Sequence, residues 1–254
     1  GVDRLKRLAR TEHAGRDQNT LRFAEQDALS PEPEAWMRDY FRHARTIFTQ
    51  CRELKDRILE NRPGLVRRFL EARSQQSNSE FTVSREQILL RHPAAFEHDP
   101  ESAFRLFLHQ ARHGLKLAPD TRRRVRNAQQ WQWPQWQQLL SLPHAAVALR
   151  SMAETGQLAF QLPEWQHIDC LVVRDHYHRY TVDEHTLIAL SQLEALSFDE
   201  HQFGGLWMNC ESKPLLRFAL LLHDIGKGLG GDHDQRAVAI AAGVGQRIGI
   251  PSED

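Results

Sequence analysis

The chain has 254 residues, and its 33 Lys plus Arg balance 33 Asp plus Glu, giving a formal net charge of zero. Such a balance supplies no general attraction to nucleic acid or to anionic membranes, and no run of about 18 apolar residues is present to span a bilayer. The three cysteines, Cys51, Cys170 and Cys210, are far apart and form no C-x-x-C pair, which argues against a thiolate zinc site or a disulfide framework and fits free thiols in a cytoplasmic protein.

The clearest predicted helix covers residues 31 to 62. Trp36, Met37, Tyr40, Phe41, Ala44, Ile47, Phe48, Cys51, Leu54 and Ile58 recur at steps of three and four, the spacing of one helix face. Ser30 is its expected cap, with Pro31, Glu32 and Glu34 suiting the first turn. Pro63-Gly64 is the expected stop, and residues 74 to 80 read as a polar loop. Phe81 to Leu90 stays open between helix and strand.

A second helix is expected from Asp99-Pro100-Glu101, carrying Ala103, Phe104, Phe107, Leu108 and Ala111 and ending at Gly114. Asp120 begins an arginine-rich helix. Its Arg122, Arg123, Arg124 and Arg126 spread around the circumference, which makes a solvated face rather than a nucleic-acid patch. Trp131, Trp133 and Trp136 read as a hydrophobic hinge between helices, with base stacking the less common alternative. Pro143 to Glu154 reads as a further helix closed by Gly156. Composition changes near Leu162-Pro163, where a soft boundary is expected and after which histidines cluster.

Three segments beyond that boundary carry chemistry. In Thr181-Val-Asp-Glu184-His185, Thr181 and Glu184 have capping-box spacing, so a helix is predicted to begin there. His185 then lies in its first turns, followed by a buried stripe of Leu187, Ile188, Leu190, Leu193 and Leu196. In Leu220-Leu-Leu-His223-Asp224-Ile-Gly226-Lys227-Gly228, a His-Asp pair ends a very apolar helix. Such a pair is costly to bury unless it is paired or bound to a cation. Lys227, four residues beyond His223, is expected on the same face and within reach of an anion held by that cation. Gly226 and Gly228 permit a sharp turn. In Gly230-Gly-Asp232-His233-Asp234, a histidine at a helix start beside two carboxylates is a candidate ligand for a second ion. This nitrogen-and-carboxylate donor set suits magnesium, manganese, iron or zinc. His176 and His178 are assigned structural or substrate-shaping roles.

The ordered His185, His223-Asp224 pattern resembles the HD phosphohydrolase superfamily. Tyr180-Thr-Val-Asp-Glu-His185-Thr, Leu-Leu-His223-Asp224-Ile-Gly-Lys-Gly228 and Gly231-Asp232-His233 resemble the uridylyl-removing domain of the bifunctional PII uridylyltransferases. Tyr40-Phe-Arg-His-Ala44 and His98-Asp-Pro100 with Phe104-Arg-Leu-Phe107 are similar to the helical segment after that family's nucleotidyltransferase domain. The resemblance implies an all-α fold. Residues 1 to 160 would be a helical bundle region, and 161 to 254 the N-terminal part of an HD-type phosphohydrolase domain.

It further implies a metal-dependent phosphodiesterase that removes UMP from a uridylylated PII signalling protein in nitrogen regulation. His185, His223 and Asp224 would be metal ligands, with Asp224 also catalytic. His233 would bind a second metal and Lys227 would be a catalytic residue facing the phosphate. The transferase signature is not matched, nor are the family's later histidine and final aspartate ligands before the terminal Asp254. Both chain ends therefore read as cut from something longer, with an incomplete metal site. Two alternatives stay open at this level: an HD hydrolase of nucleotides or cyclic dinucleotides, and a non-catalytic helical regulatory module.

Overall fold

The computed structural model describes residues 33–60, 76–126, 129–173, 180–196 and 202–251. The expected features at Ser30, Pro31, Glu32, Pro63-Gly64, His176, His178 and Asp254 lie outside that set.

Apolar spacing sets the central helices. Helix α1 runs Pro33–Glu60, α2 Ala95–His98 and α3 Ser102–His113. They are followed by α4 Pro119–Arg124, α5 Trp133–Leu140, α6 Ala145–Glu154 and α7 Gln157–Gln161. A 3-10 turn at Pro163–His167 leads to α8 Val182–Ala195, α9 Gln202–Asn209, α10 Lys213–Leu222 and α11 His233–Ile248. The chain is thus mostly helical, as its periodicity predicts. In α3, Ala103, Leu106, Phe107 and Ala111 are fully buried, and Gly114 closes the helix in a left-handed conformation at φ +68°. Helix α3 packs on α5 and α6, α10 packs on α5 and α8, and α11 packs on α10. One buried cluster draws on residues from Phe81 to Ile248 and so crosses position 160.

The open stretch resolves as a small sheet. Strands β1 (Phe81–Ser84) and β2 (Gln87–Leu90) pair antiparallel, with Ser84 opposite Gln87. Strand β3 (Lys116–Leu117) joins β2 in parallel. The hairpin turn is Arg85-Glu86, both at positive φ (49° and 61°). A two-residue hairpin turn favours that conformation, although Asn-Gly usually supplies it.

The tryptophan segment, at the start of α5, is part of the core. Trp131, Trp133 and Trp136 are all buried. Trp136 meets Trp131 edge-on at 5.4 Å and Phe218 of α10 at the same centroid separation. Beside them the apolar helix α10 buries one charge, Arg217. Its guanidinium donates to the Leu140 and Leu142 carbonyls at the end of α5, lies 3.5 Å from Glu194 and stacks 5.1 Å from the Trp207 ring. Glu194 in turn accepts from the Ala146 amide at 2.9 Å. This pair therefore satisfies polar groups at the ends of two helices.

Helix α1 has the predicted periodicity but not the predicted burial. Tyr40, Ile47, Phe48, Leu54 and Ile58 of its apolar stripe are exposed, and no α1 residue belongs to the buried cluster. Arginines on another face make its contacts instead. No helix among the described residues is long and apolar enough to cross a membrane.

Candidate metal centre

The site forms where the start of α8 meets the end of α10. Val182 of α8 donates to the Leu171 carbonyl at 2.9 Å, and α8 packs along α10. Thr181 takes the N-cap position with extended backbone, but its side chain makes no cap hydrogen bond. The expected capping box is therefore absent. Glu184 instead receives the Arg150 Nη1 of α6 on both carboxylate oxygens at 2.9 Å, and a charged partner outcompetes a backbone amide. The buried residues of α8 are Val182, Asp183, Thr186, Leu187 and Leu190, whereas Ile188, Leu193 and Leu196 of the expected stripe are only partly covered.

His185 is the fourth residue of α8, and His223 caps the C-terminus of α10. Their rings lie 5.8 Å apart. His223 Nε2 stands 3.3 Å from Asp224 Oδ2, and His185 Nε2 stands 4.0 Å from the same oxygen. The Nδ1 of His223 lies 2.7 Å from the Leu220 carbonyl oxygen. A carbonyl only accepts, so Nδ1 carries the proton, and in the neutral ring the Nε2 lone pair faces a carboxylate. The His223 lone pair and the anionic oxygen of Asp224 repel unless a proton or a cation lies between them. One donor atom from each of His185, His223 and Asp224 falls within 4.8 Å of the others. That set suits a divalent ion, and the Leu220 bond is the outer-shell contact that orients a ligating imidazole.

The electrostatics agree. The hydrogen bond with Asp224 raises the His223 pKa above the ordinary imidazole value, although burial opposes it. Burial pushes Asp224 upward, but His223 and Lys227 outweigh it and hold the carboxyl well below the usual carboxylate range. Lys227 Nζ donates to Asp224 Oδ2 at 2.9 Å. Helix α10 ends at Leu222, so Lys227 does not share a helical face with His223 as its spacing suggests. The turn folds it back onto the carboxylate itself.

Gly226 and Gly228 make that turn. A Cβ at Gly226 would sit against the His233 carbonyl oxygen and 2.6 Å from the Ala237 amide nitrogen. Gly228 has φ +78°, and a Cβ there would lie 2.7 Å from Leu171 Cδ2. His233 begins α11, where Asp232 caps the helix by accepting from the Asp234 and Gln235 amides. Asp232, His233 and Asp234 make a separate exposed group, with His233 Nδ1 3.2 Å from Asp234 Oδ1. The structure thus brings His185, His223, Asp224 and Lys227 together and leaves His233 in its own cluster.

A third grouping, Asp169, Cys170 and Asp183, was not read from the sequence. Its cation is already in place. Arg45 of α1 reaches Asp169 Oδ1 at 2.8 Å and Asp183 Oδ2 at 2.5 Å. Burial lowers the Arg45 pKa, but Asp183 and its neighbours raise it above the ordinary guanidinium value. Burial likewise pushes the Cys170 thiol up to about 11, which keeps it protonated and a poor ligand at neutral pH. The one sequence signal for this grouping is that Arg38, Arg42 and Arg45 share one helical stripe.

Curated relatives align along most of the chain. A bifunctional uridylyltransferase/uridylyl-removing enzyme of Nitrobacter winogradskyi is 30% identical over 246 residues, covering 87% of this chain and 27% of the relative. That of Rhodospirillum rubrum is 30% identical over 240 residues, covering 87% and 25%. The Vibrio cholerae enzyme is 29% identical over 220 residues, covering 80% and 25%. The chain therefore spans about a quarter of the length of these relatives. No family model matches the chain, and no solved structure matches it.

Proposed function

We propose that this chain, a relative of bifunctional uridylyltransferase/uridylyl-removing enzymes over most of its length, carries part of a uridylyl-removing phosphodiesterase site in an HD-type domain. The substrate would be the UMP–protein phosphodiester of a PII-type signalling protein. The observation that supports it is the convergence of His185 Nε2 and His223 Nε2 on Asp224 Oδ2. His185, His223 and Asp224 would hold a divalent ion, magnesium or manganese first, with iron or zinc also compatible. His233 with Asp232 and Asp234 would hold a second ion.

A divalent ion there would supply Lewis-acid polarisation of the phosphoryl group. The protein's own contribution is positional. Leu220 fixes the tautomer of His223, so Nε2 stays available to a cation. Asp224 stays ionised because His223 and Lys227 favour its charged form. Lys227, which donates to Asp224 Oδ2, would be available to pair with an anionic phosphate oxygen if that carboxylate held a cation. No protein nucleophile is needed.

The test is UMP release from uridylylated PII by the protein with Mn²⁺, with a chelator, and with His223→Ala or Asp224→Ala. Release that requires the ion and both side chains supports the reading. A fully metal-loaded protein that leaves uridylylated PII intact, in its full-length form, would sink it.

A further inference from the structure

Helix α1 reaches residues 166–183 through three arginines. Arg38 donates to the Asp169 carbonyl at 2.8 Å and to the Gln166 and His167 carbonyls at 2.6 Å, the free acceptors at the end of the 3-10 turn. Arg42 reaches Asp169 Oδ2 at 3.3 Å. Arg45 bridges Asp169 and Asp183. Asp183 is the second residue of α8 and lies two residues before His185. Its carboxylate is buried, with a side-chain exposure of 5%, and its Oδ1 makes no hydrogen bond among the described residues. Arg45 is thus the cation that compensates a buried anion in the first turn of the helix bearing His185.

The neighbouring contact strengthens the point. Glu184, adjacent to His185, is held by Arg150 of α6. The first turn of α8 is therefore pinned from two sides by two arginines on two different helices. By contrast, His223 and Asp224 are placed by α10 and its turn. The three donor atoms converge only if α8 and α10 keep their relative setting. Side-chain networks of this kind orient ligands, and their loss weakens metal binding without touching a ligand.

We propose that Arg45 is a positioning residue for the metal ligand His185, acting through Asp183 to hold the first turn of α8 against the His223–Asp224 pair. The proposal rests on the metal-site reading above. Its consequence is that docking of α1, which contributes nothing to the buried cluster, sets the affinity of the metal centre.

The test is Mn²⁺ affinity by titration calorimetry on the purified chain, with circular dichroism and melting temperature alongside. Arg45→Met is expected to weaken Mn²⁺ binding about ten- to a hundred-fold at unchanged helical content. Asp183→Asn should weaken it too, and the double variant should be no worse than the weaker single, because both remove one contact. Arg45→Lys keeps the charge and should recover part of the affinity; it also serves if Arg45→Met does not fold. Arg52→Met removes the Arg52–Glu154 contact between α1 and α6, leaves Asp183 paired, and should bind Mn²⁺ like the unsubstituted chain. If the unsubstituted chain binds Mn²⁺ and folded Arg45→Met binds it equally well, Arg45 only anchors α1 and the proposal falls alone. If the unsubstituted chain binds no Mn²⁺, the metal-site reading falls and takes the proposal with it.

Discussion

His223 directs its Nδ1 at the Leu220 carbonyl, 2.7 Å away, and so turns its Nε2 toward the carboxylate of Asp224 at 3.3 Å. Because both residues belong to one short turn, the pairing is local. His185, from a different helix, completes the set only through the packing of α8 on α10.

A divalent ion held by this arrangement would bind with an affinity that depends on pH. A ligating imidazole must be unprotonated, and His223 is raised above the ordinary value of 6.5. Mn²⁺ affinity should therefore fall as pH drops through neutrality, and binding near pH 7 should release protons. Without metal the sign reverses for His223. Its pairing stabilises the fold fully below about pH 6.5 and is lost as pH rises through the folded value. The lowered Asp224 contributes stability above about pH 4, lost as pH falls through its folded value. Melting temperatures of chelated protein should peak between those limits, and a maximum at alkaline pH would contradict the pairing.

Lys227→Met separates binding from chemistry. Lys227 donates to the Asp224 oxygen that would hold a cation, so its removal should leave Mn²⁺ affinity unchanged or tighter. UMP release should nevertheless fall at least ten-fold, since the ammonium no longer meets the phosphate. Weaker Mn²⁺ binding in a folded Lys227→Met variant would argue that the lysine is only a structural partner of Asp224.

Gly226→Ala tests the close approach of the turn to α11. The added methyl meets backbone of His233 and Ala237, which cannot move as a flexible side chain can. Destabilisation of about 1–3 kcal/mol is expected from overpacking, measured by urea unfolding. An unchanged midpoint would mean that α11 sits farther from the turn.

Arg217→Met should be a costly change in the helical body, because Arg217 is buried. It removes the cation beside Glu194, which is already raised by burial, and leaves the Leu140 and Leu142 carbonyls without their Arg217 donor. Loss of one partner of a buried pair typically costs about 3–5 kcal/mol. Glu194→Gln should cost less, because the amide oxygen still accepts from Ala146. Denaturation midpoints of the two variants should rank in that order.

Much of this protein is legible in its sequence, and particular residues show where legibility stops. The helices were readable because apolar spacing and stop residues are local: Ala103 to Ala111 with Gly114 needed no partner to be recognised. The His223-Asp224-Ile-Gly-Lys227 string was legible as a candidate cation site because its donor groups are neighbours in sequence, although His223 is exposed rather than buried at the end of its helix. The Arg85-Glu86 hairpin was not readable, because both residues adopt positive φ without glycine or asparagine to announce it.

The amphipathic period of α1 was readable, but not its docking through Arg38, Arg42 and Arg45 rather than through its apolar stripe. Glu184 had capping-box spacing, yet Arg150 took it. Lys227 was placed by a turn rather than by a helix. For α1 and Glu184 the deciding partner lies far along the chain, whereas Lys227 is decided by a local turn. Periodicity and caps depend on a window of a few residues, so the sequence determined the helices and the order of the candidate ligands. Which charges pair depends on how helices pack, so only the tertiary structure decided that His185 meets Asp224 and that Arg45 stands behind it.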